Sequence, residues 1–281
     1  MNARLSVPLI IIAGWCLLAM SAGVLPLQPD TIILEKILVP PEQDAWLGYD
    51  DLGRSIADRI ILGARTSFIV AFVVVTISMM AGTLVGILAA WFGGWFDQFI
   101  VLIIDIFLAF PGILLAIALA GLLGPGIMNA VIALSVVGWV GFARLARAQA
   151  LTVRQREHIM AARALGSGTA TVTRRHVLPL ITAPLIVEAT FAVAGTVIAE
   201  AGLSFLGLGV QPPDPSWGSM IRDGTRYMLV APHMVLAPGG AIFLVVLAVN
   251  LYGDRLRDRM DVHLKQPMSA RKTGWHAGDH P

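Results

Sequence analysis

Arg156-Glu157-His158-Ile159-Met160-Ala161-Ala162-Arg163-Ala164-Leu165-Gly166, followed by Arg174-Arg175-His176-Val177-Leu178-Pro179, is a basic stretch set between two long apolar runs. From Leu151 to Leu165 there is no Pro or Gly, and Ala161, Ala162 and Ala164 favour helix. Gly166 stands where such a helix would stop, because only Gly takes the left-handed C′ conformation at little cost. Ser167 or Thr169 is placed to cap a second helix as far as His176, and Pro179 is expected to end it before the next apolar run begins. The stretch 146–180 reads as a short helix-turn-helix standing out of an apolar body, with small side chains that let another surface come close.

The apolar body is most of the chain. Of 281 residues, 57% are hydrophobic and 14% charged, and mean hydropathy is +0.77. A soluble domain of this composition would have no polar face left for water, so a multispan membrane protein is expected. Six runs reach the ~17–25 residues needed to cross a bilayer: 7–27, 67–91, 99–123, 127–145, 181–206 and 235–252. The first is too long for the apolar core of a secretory leader and is read as an uncleaved span. Short connections are expected at Gly93-Gly94 and at Gly124-Pro125-Gly126. Gly82, Gly86 and Ala90 recur every fourth residue on one face of the second run, a stripe suited to close helix packing.

Charge sets the orientation. With the N-terminus inside, fourteen of the 20 lysines and arginines fall on the cytoplasmic side: Arg4, Arg144, Arg147, Arg154, Arg156, Arg163, Arg174, Arg175, Arg255, Arg257, Arg259, Lys265, Arg271 and Lys272. Lys36, Arg54, Arg59, Arg65, Arg222 and Arg226 fall outside. Both termini are therefore expected in the cytoplasm, with residues 28–66 and 207–234 outside.

Enzymatic chemistry finds no support. The three lysines, Lys36, Lys265 and Lys272, are not preceded by glycine, so no phosphate-binding loop exists. There is no His-Glu-x-x-His and no Gly-x-Ser-x-Gly, and the single cysteine, Cys16, reads as a small buried residue in a helix. His158 and His176 flank the basic stretch without partners that would make a metal site, and His276 and His280 lie in a polar tail. Asp105, Glu188 and Glu200 lie within apolar runs, where a carboxylate is costly and by default functional. They are candidates for the pathway or a gate, touching a passing solute; the alternative is that they pair with hydroxyls and backbone of a partner subunit. The sequence offers no Lys or Arg within the spans to neutralise them.

The Ala161-Ala162 pair, with Gly166 four residues on and Pro179 thirteen beyond that, resembles the EAA loop through which permeases of ABC importers receive force from an ATPase. Met160 stands where that loop usually has Glu. Three further segments match in order. Trp46-Leu47-Gly48-Tyr49-Asp50-Asp51-Leu52-Gly53-Arg54-Ser55, with Gly63-Ala64-Arg65-Thr66-Ser67, is similar to the segment before the family's second span. Glu200-Ala201-Gly202-Leu203-Ser204-Phe205-Leu206-Gly207-Leu208-Gly209 precedes Pro215-Ser216-Trp217-Gly218. Asn250-Leu251-Tyr252-Gly253-Asp254-Arg255 resembles the family's end. Over nearly its whole length the chain looks like the smaller permease of the dipeptide, oligopeptide and nickel class of ABC importers.

That resemblance implies an all-α membrane protein of six transmembrane helices with the type-1 importer permease fold. Residues 1–66 would hold the first helix and an external segment, 67–255 the permease core, and 256–281 a cytoplasmic tail. Glu157, Ala161, Ala162, Arg163, Gly166, Leu178 and Pro179 would form the ATPase-coupling loop, and Asp50, Gly53, Arg54 and Trp217 would face a binding protein. The implied partners are a second homologous permease, two ATPase subunits that hold ATP and Mg, and an extracytoplasmic substrate-binding protein, at the inner membrane. A di- or oligopeptide is the expected solute, with nickel or a metal chelate as the alternative. A stand-alone ion-coupled carrier is the rival of another class.

Overall fold

The computed structural model describes residues 3–43 and 45–261. The part of the expected tail beyond Asp261 lies outside the described residues, with Lys265, Arg271, Lys272, His276 and His280. Among the described residues the regular structure is helical, with two isolated β-bridges in the segment before the second helix. The α-helices are α1 (Ala3–Ser21), α2 (Ile56–Phe92), α3 (Gly94–Leu108), α4 (Gly112–Leu123), α5 (Ile127–Val153), α6 (Glu157–Ala164), α7 (Thr169–Val172), α8 (Leu178–Phe205), α9 (Trp217–Thr225) and α10 (His233–Asp261).

Four helical stretches are long and apolar enough to cross a bilayer: Ile56–Phe92, Ile127–Val153, Thr169–Phe205 and His233–Met260. The run expected as a straight third span, 99–123, is instead a bent pair. Helices α3 and α4 meet at 88° and together make a fifth candidate. The break falls at Ala109-Phe110-Pro111, where proline disfavours helix in the residue before it and cannot donate its own backbone N–H. The first run also differs from expectation. Helix α1 ends at Ser21, its apolar part spans Val7–Ser21, and the chain then folds into turns through Leu27.

The α2–α5 pair is the spine. The stripe read from the sequence lies in the crossing: a Cβ on Gly82 would stand 2.7 Å from Phe142 Cβ, and one on Gly86 would stand 2.9 Å from Arg147 N. Both positions must be glycine for the backbones to approach this closely. Val70, Val74, Leu134 and Leu203 continue the buried contact toward α4 and α8. At the end of the bundle away from 154–168, Trp15, Ile56, Trp217, Met220 and Met234 form a second core. There Trp15 Nε1 donates to the Ala64 carbonyl at 3.2 Å.

Two boundaries near the basic stretch differ from expectation. Helix α5 runs on to Val153 rather than stopping near Leu145, so its last turns stand with the loop. Pro179 does not end a helix. It lies in the first turn of α8, directly after a π turn at Thr173–Val177 that joins α7 to α8 without interruption, the kind of local adjustment that lets a helix carry a proline's missing N–H. The stretch Thr169–Phe205 is one rod of 37 residues, about 55 Å at 1.5 Å per residue.

Candidate functional site: the loop 154–179 and the buried polar groups

The loop is built from a helix stop and a buried base. Helix α6 closes with Gly166 at φ +83°; Gly166 N–H donates to the Arg163 carbonyl at 3.0 Å and Ser167 N–H to the Ala162 carbonyl at 3.1 Å. This pair of bonds is the Schellman arrangement, which requires a left-handed residue at C′. Gly168, not Ser167 or Thr169, occupies the cap position of α7, and no side chain caps it. Below the turn, Ile159, Val172 and Val177 are each fully buried against Ala150, Val153, Ile181 and Leu185. The sequence reading missed these three anchors, although their spacing against exposed arginines was visible.

Trp91, at the end of α2, ties the loop to the spine. Its Nε1 donates to Thr169 Oγ1 at 3.0 Å, and the Arg163 guanidinium lies 5.4 Å over its ring. Arg154 Nη1 donates to the Ala90 carbonyl. Held from behind, the loop presents Glu157, Ala161, Arg163, Gly166, Leu178 and Pro179 outward, with Ala162 half-buried. Met160 and Leu165 are 53% and 87% exposed, so the tip is apolar as well as small. His158 and His176 come together, with ring centroids 6.3 Å apart. No cluster of three metal-ligating side chains occurs among the described residues.

The three intramembrane carboxylates do not converge. Asp105 is exposed on α3. Glu188 lines a cavity of about 620 Å³ at the loop end, with Gln149, Arg156, Phe191 and Arg257. Its Oε1 lies 3.3 Å from where a Cβ on Gly141 would stand. Glu200 is buried at 1% exposure and bonded to serine hydroxyls of this same chain. A separate, almost wholly apolar cavity of about 460 Å³ opens among α2, α4, α5 and α8, where Ser78 and Thr196 supply the hydroxyls. Just outside the apolar runs read as spans, Arg147 on α5 holds Asp97 on α3 through two bonds of 2.5 and 2.6 Å. The separation of fifty positions hid this pair from a local reading.

At the opposite end, the residues expected to face a partner turn largely inward. Asp50 is 5% exposed. Its carboxylate accepts the backbone N–H groups of Leu52 and Arg54, both at 2.9 Å, and Arg54 Nε at 2.7 Å. Arg59 Nε lies 3.6 Å away. Arg59, which the sequence reading did not single out, also donates to the Pro29 carbonyl. Beside this cluster, burial, and then the negative charge of Asp50, push the Asp51 carboxyl above its ordinary value. Gly53 is buried at φ +72°, and a Cβ there would run into the Ile33 backbone. Trp217 is 2% exposed and donates from Nε1 to the Ile60 carbonyl at 3.1 Å. Asp50, Gly53 and Trp217 therefore shape this end from within; Arg54 is half-buried.

An all-helical bundle with a bent half-span pair and a small-residue loop projecting from one end defines a class, the membrane-embedded permeases of ABC importers. A family model described as "Binding-protein-dependent transport system inner membrane component" matches residues 82–265, and the chain belongs to that family. It is a multi-pass inner-membrane transport component, not an enzyme, and its family implies ATPase and binding-protein partners. The dipeptide transport system permease protein DppC of Alkalihalophilus pseudofirmus is 43% identical over 94% of this chain and 87% of its own length. The glutathione transport system permease protein GsiD of Pectobacterium atrosepticum is 44% identical over 80% of this chain and 75% of its own. GsiD of Escherichia coli O6:K15:H31 is 44% identical over 80% and 74%. Among solved structures, the inward-facing MetNI methionine ABC transporter aligns with a TM-score of 0.59 at 20% identity, over 71% of this chain and 95% of that one. At that identity the likeness concerns the fold alone. Membership in the family sets aside the stand-alone carrier.

Proposed function

We propose that this chain forms half of the translocation pore of an ATP-driven importer for di- or oligopeptides. The observation that carries the reading is the loop 157–179, whose small and apolar tip is presented outward while Ile159, Val172 and Val177 fix its base. A surface so braced can receive force, and two ATPase subunits holding ATP and Mg would supply it. A second, homologous permease closes the other half of the pore. The solute class rests on relatives named for a dipeptide and for glutathione, both short peptides.

In this reading α1 and the bent α3–α4 pair each count as one crossing, giving six, with both termini cytoplasmic. Arg147, Arg156, Arg163, Arg174 and Arg175 then lie on the cytoplasmic side, as the positive-inside rule requires. ATP-driven closure of the ATPases pulls on Glu157, Ala161, Ala162, Arg163 and Gly166. The uninterrupted rod Thr169–Phe205 conveys that pull across the bilayer and swings the pore from inward-open to outward-open. An extracytoplasmic binding protein docks on the opposite end, over Arg54 and the loops that Asp50, Gly53 and Trp217 hold in shape. The solute crosses along the apolar cavity among α2, α4, α5 and α8, and Glu188 and Asp105 meet it nearer the cytoplasm. An apolar wall with scattered hydroxyls suits a solute chosen elsewhere, by the binding protein.

The test is reconstitution in liposomes. The chain with its second permease, ATPases and binding protein should accumulate radiolabelled di- and tripeptides only with ATP and binding protein present, and the chain alone should move nothing along an ion gradient. Gradient-driven uptake by the isolated chain would overturn the reading.

A further inference from the structure

Glu200 sits close to the end of α8, 1% exposed, too deep in this chain to touch a solute. Oε2 accepts from Ser67 Oγ of α2 at 3.1 Å, and Oε1 accepts from Ser204 Oγ at 2.7 Å. Ser204 Oγ in turn accepts the Val210 N–H at 3.1 Å, which fixes the chain just after α8. Further along, the Ser216 hydroxyl accepts the Ser219 N–H at 3.1 Å, capping α9. Ser67, Ser204 and Ser216 are at 1%, 0% and 0% exposure. A second tie runs alongside, from Thr66 Oγ1 to the Pro215 carbonyl at 3.3 Å. A Cβ on Gly218 would collide with the Ala201 backbone, so only glycine fits against α8 there.

Each oxygen of the Glu200 carboxyl accepts a serine hydroxyl, whereas a carboxamide has one accepting oxygen and brings two N–H groups needing acceptors of their own. One carboxyl group can therefore satisfy hydroxyls arriving from α2 and from α8, and the second of these also holds the chain that leads on to α9. A buried network with every member satisfied specifies one arrangement of its elements. The opposite end of α8 is the coupling loop, and no break intervenes between Thr169 and Phe205.

We propose that Glu200 is a positioning residue that, through Ser67 and Ser204 and alongside the Thr66–Pro215 tie, locks the cap formed by residues 206–225 to α8 and α2, so that movement begun at the coupling loop reaches the binding-protein face as the movement of one body. This rests on the permease reading above and adds to it the residue that makes the far end follow the near one.

The experiment uses the assembled transporter in liposomes with a dipeptide-loaded binding protein. Glu200→Gln should leave complex assembly and basal ATPase in place and lower binding-protein-stimulated ATPase about tenfold, since one of the two buried hydroxyls loses its acceptor. Gln211→Cys, exposed on the cap, should react with an impermeant maleimide at a rate that depends on ATP in the parent and no longer does so with Glu200→Gln. Ser67→Ala, which keeps the carboxylate, should lower stimulation by a smaller factor. The double variant should be no worse than Glu200→Gln, because both changes open one lock. If Glu200→Gln fails to assemble, Ser67→Ala with the same two readouts decides. Unchanged stimulation in both single variants, or losses that multiply while basal ATPase falls in parallel, would overturn the lock. The parent complex is an independent check, because absence of stimulation there counts against the permease reading rather than against Glu200.

Discussion

Gly166 and Gly168 lie two residues apart on the same exposed turn, and the structure assigns them opposite tolerances. Gly166 has φ +83°, while Gly168 has φ −64° and ψ 152°, a conformation open to any residue. A Cβ on either meets nothing within 4 Å in this chain, so neither substitution produces a clash. An L-residue in the left-handed region costs roughly 1–2 kcal/mol, and a β-branched one suffers most. If the turn relaxes instead, the two Schellman bonds are lost at about 1 kcal/mol each. Either way Gly166→Val should shift the loop by roughly 1–2 kcal/mol away from its docked shape, a factor of about 5–30 in population. The assay is ATP-dependent peptide uptake and binding-protein-stimulated ATPase in the assembled complex, normalised to permease abundance in the membrane. Uptake should fall by about that factor for Gly166→Val with insertion unchanged, stay near the parent for Gly168→Val, and recover largely for Gly166→Asn, which tolerates the left-handed region. Equal losses for Gly166→Val and Gly168→Val, or no loss in either, would refute the reasoning.

Other outcomes follow from the packing and the charges. Gly86→Leu should destabilise the α2–α5 crossing by roughly 1–3 kcal/mol or more through overpacking, read as a lower melting temperature in detergent, while Gly121→Ala, with nothing near its Cβ, should not. For topology, Ser216 is an unsuitable reporter because it is fully buried; Leu229→Cys, at a fully exposed site, should label from outside with an impermeant thiol reagent in a Cys16→Ser background. Leu165→Cys on the loop should not, and the reverse pattern would invert the orientation. The raised Asp51 carboxyl binds its proton more tightly in the folded chain than in the unfolded one. Its effect on stability is absent below both values and unfavourable once pH rises above the ordinary carboxylate value of about 4. Asp51→Asn should therefore gain thermal stability relative to the parent above that pH and not below it, and a gain independent of pH would refute this.

Helical class, membrane residence and the helix that stops at Gly166 were legible in the sequence for a local reason. Run length, Lys/Arg bias, the Ala-rich stretch and the stop at Gly166 are properties of consecutive residues, and each constrains the backbone where it stands. The Gly82 and Gly86 stripe was legible too, since a four-residue repeat puts both on one helix face. Ends and breaks were less so. Pro111 follows a sharp bend while Pro179 sits inside a continuous helical stretch beside a π turn, although helical residues precede both, so tertiary packing rather than the local sequence settles the difference.

What only the tertiary structure decided is which polar groups meet. Asp97 finds Arg147 fifty residues away, Glu200 finds Ser67 across 133, and His158 finds His176 across a turn. No periodicity encodes such pairs, because each depends on how two helices cross and rotate about their axes. The sequence by itself determined that this chain is a helical membrane permease with a basic, Ala-rich loop between two spans. The fold alone decided that Trp217 and Asp50 lie buried at the end opposite that loop, and that the Glu200 carboxyl is bonded to serines of this same chain. Burial of a polar group is affordable only where its hydrogen-bonding partners also arrive, and arrival is a property of space rather than of sequence.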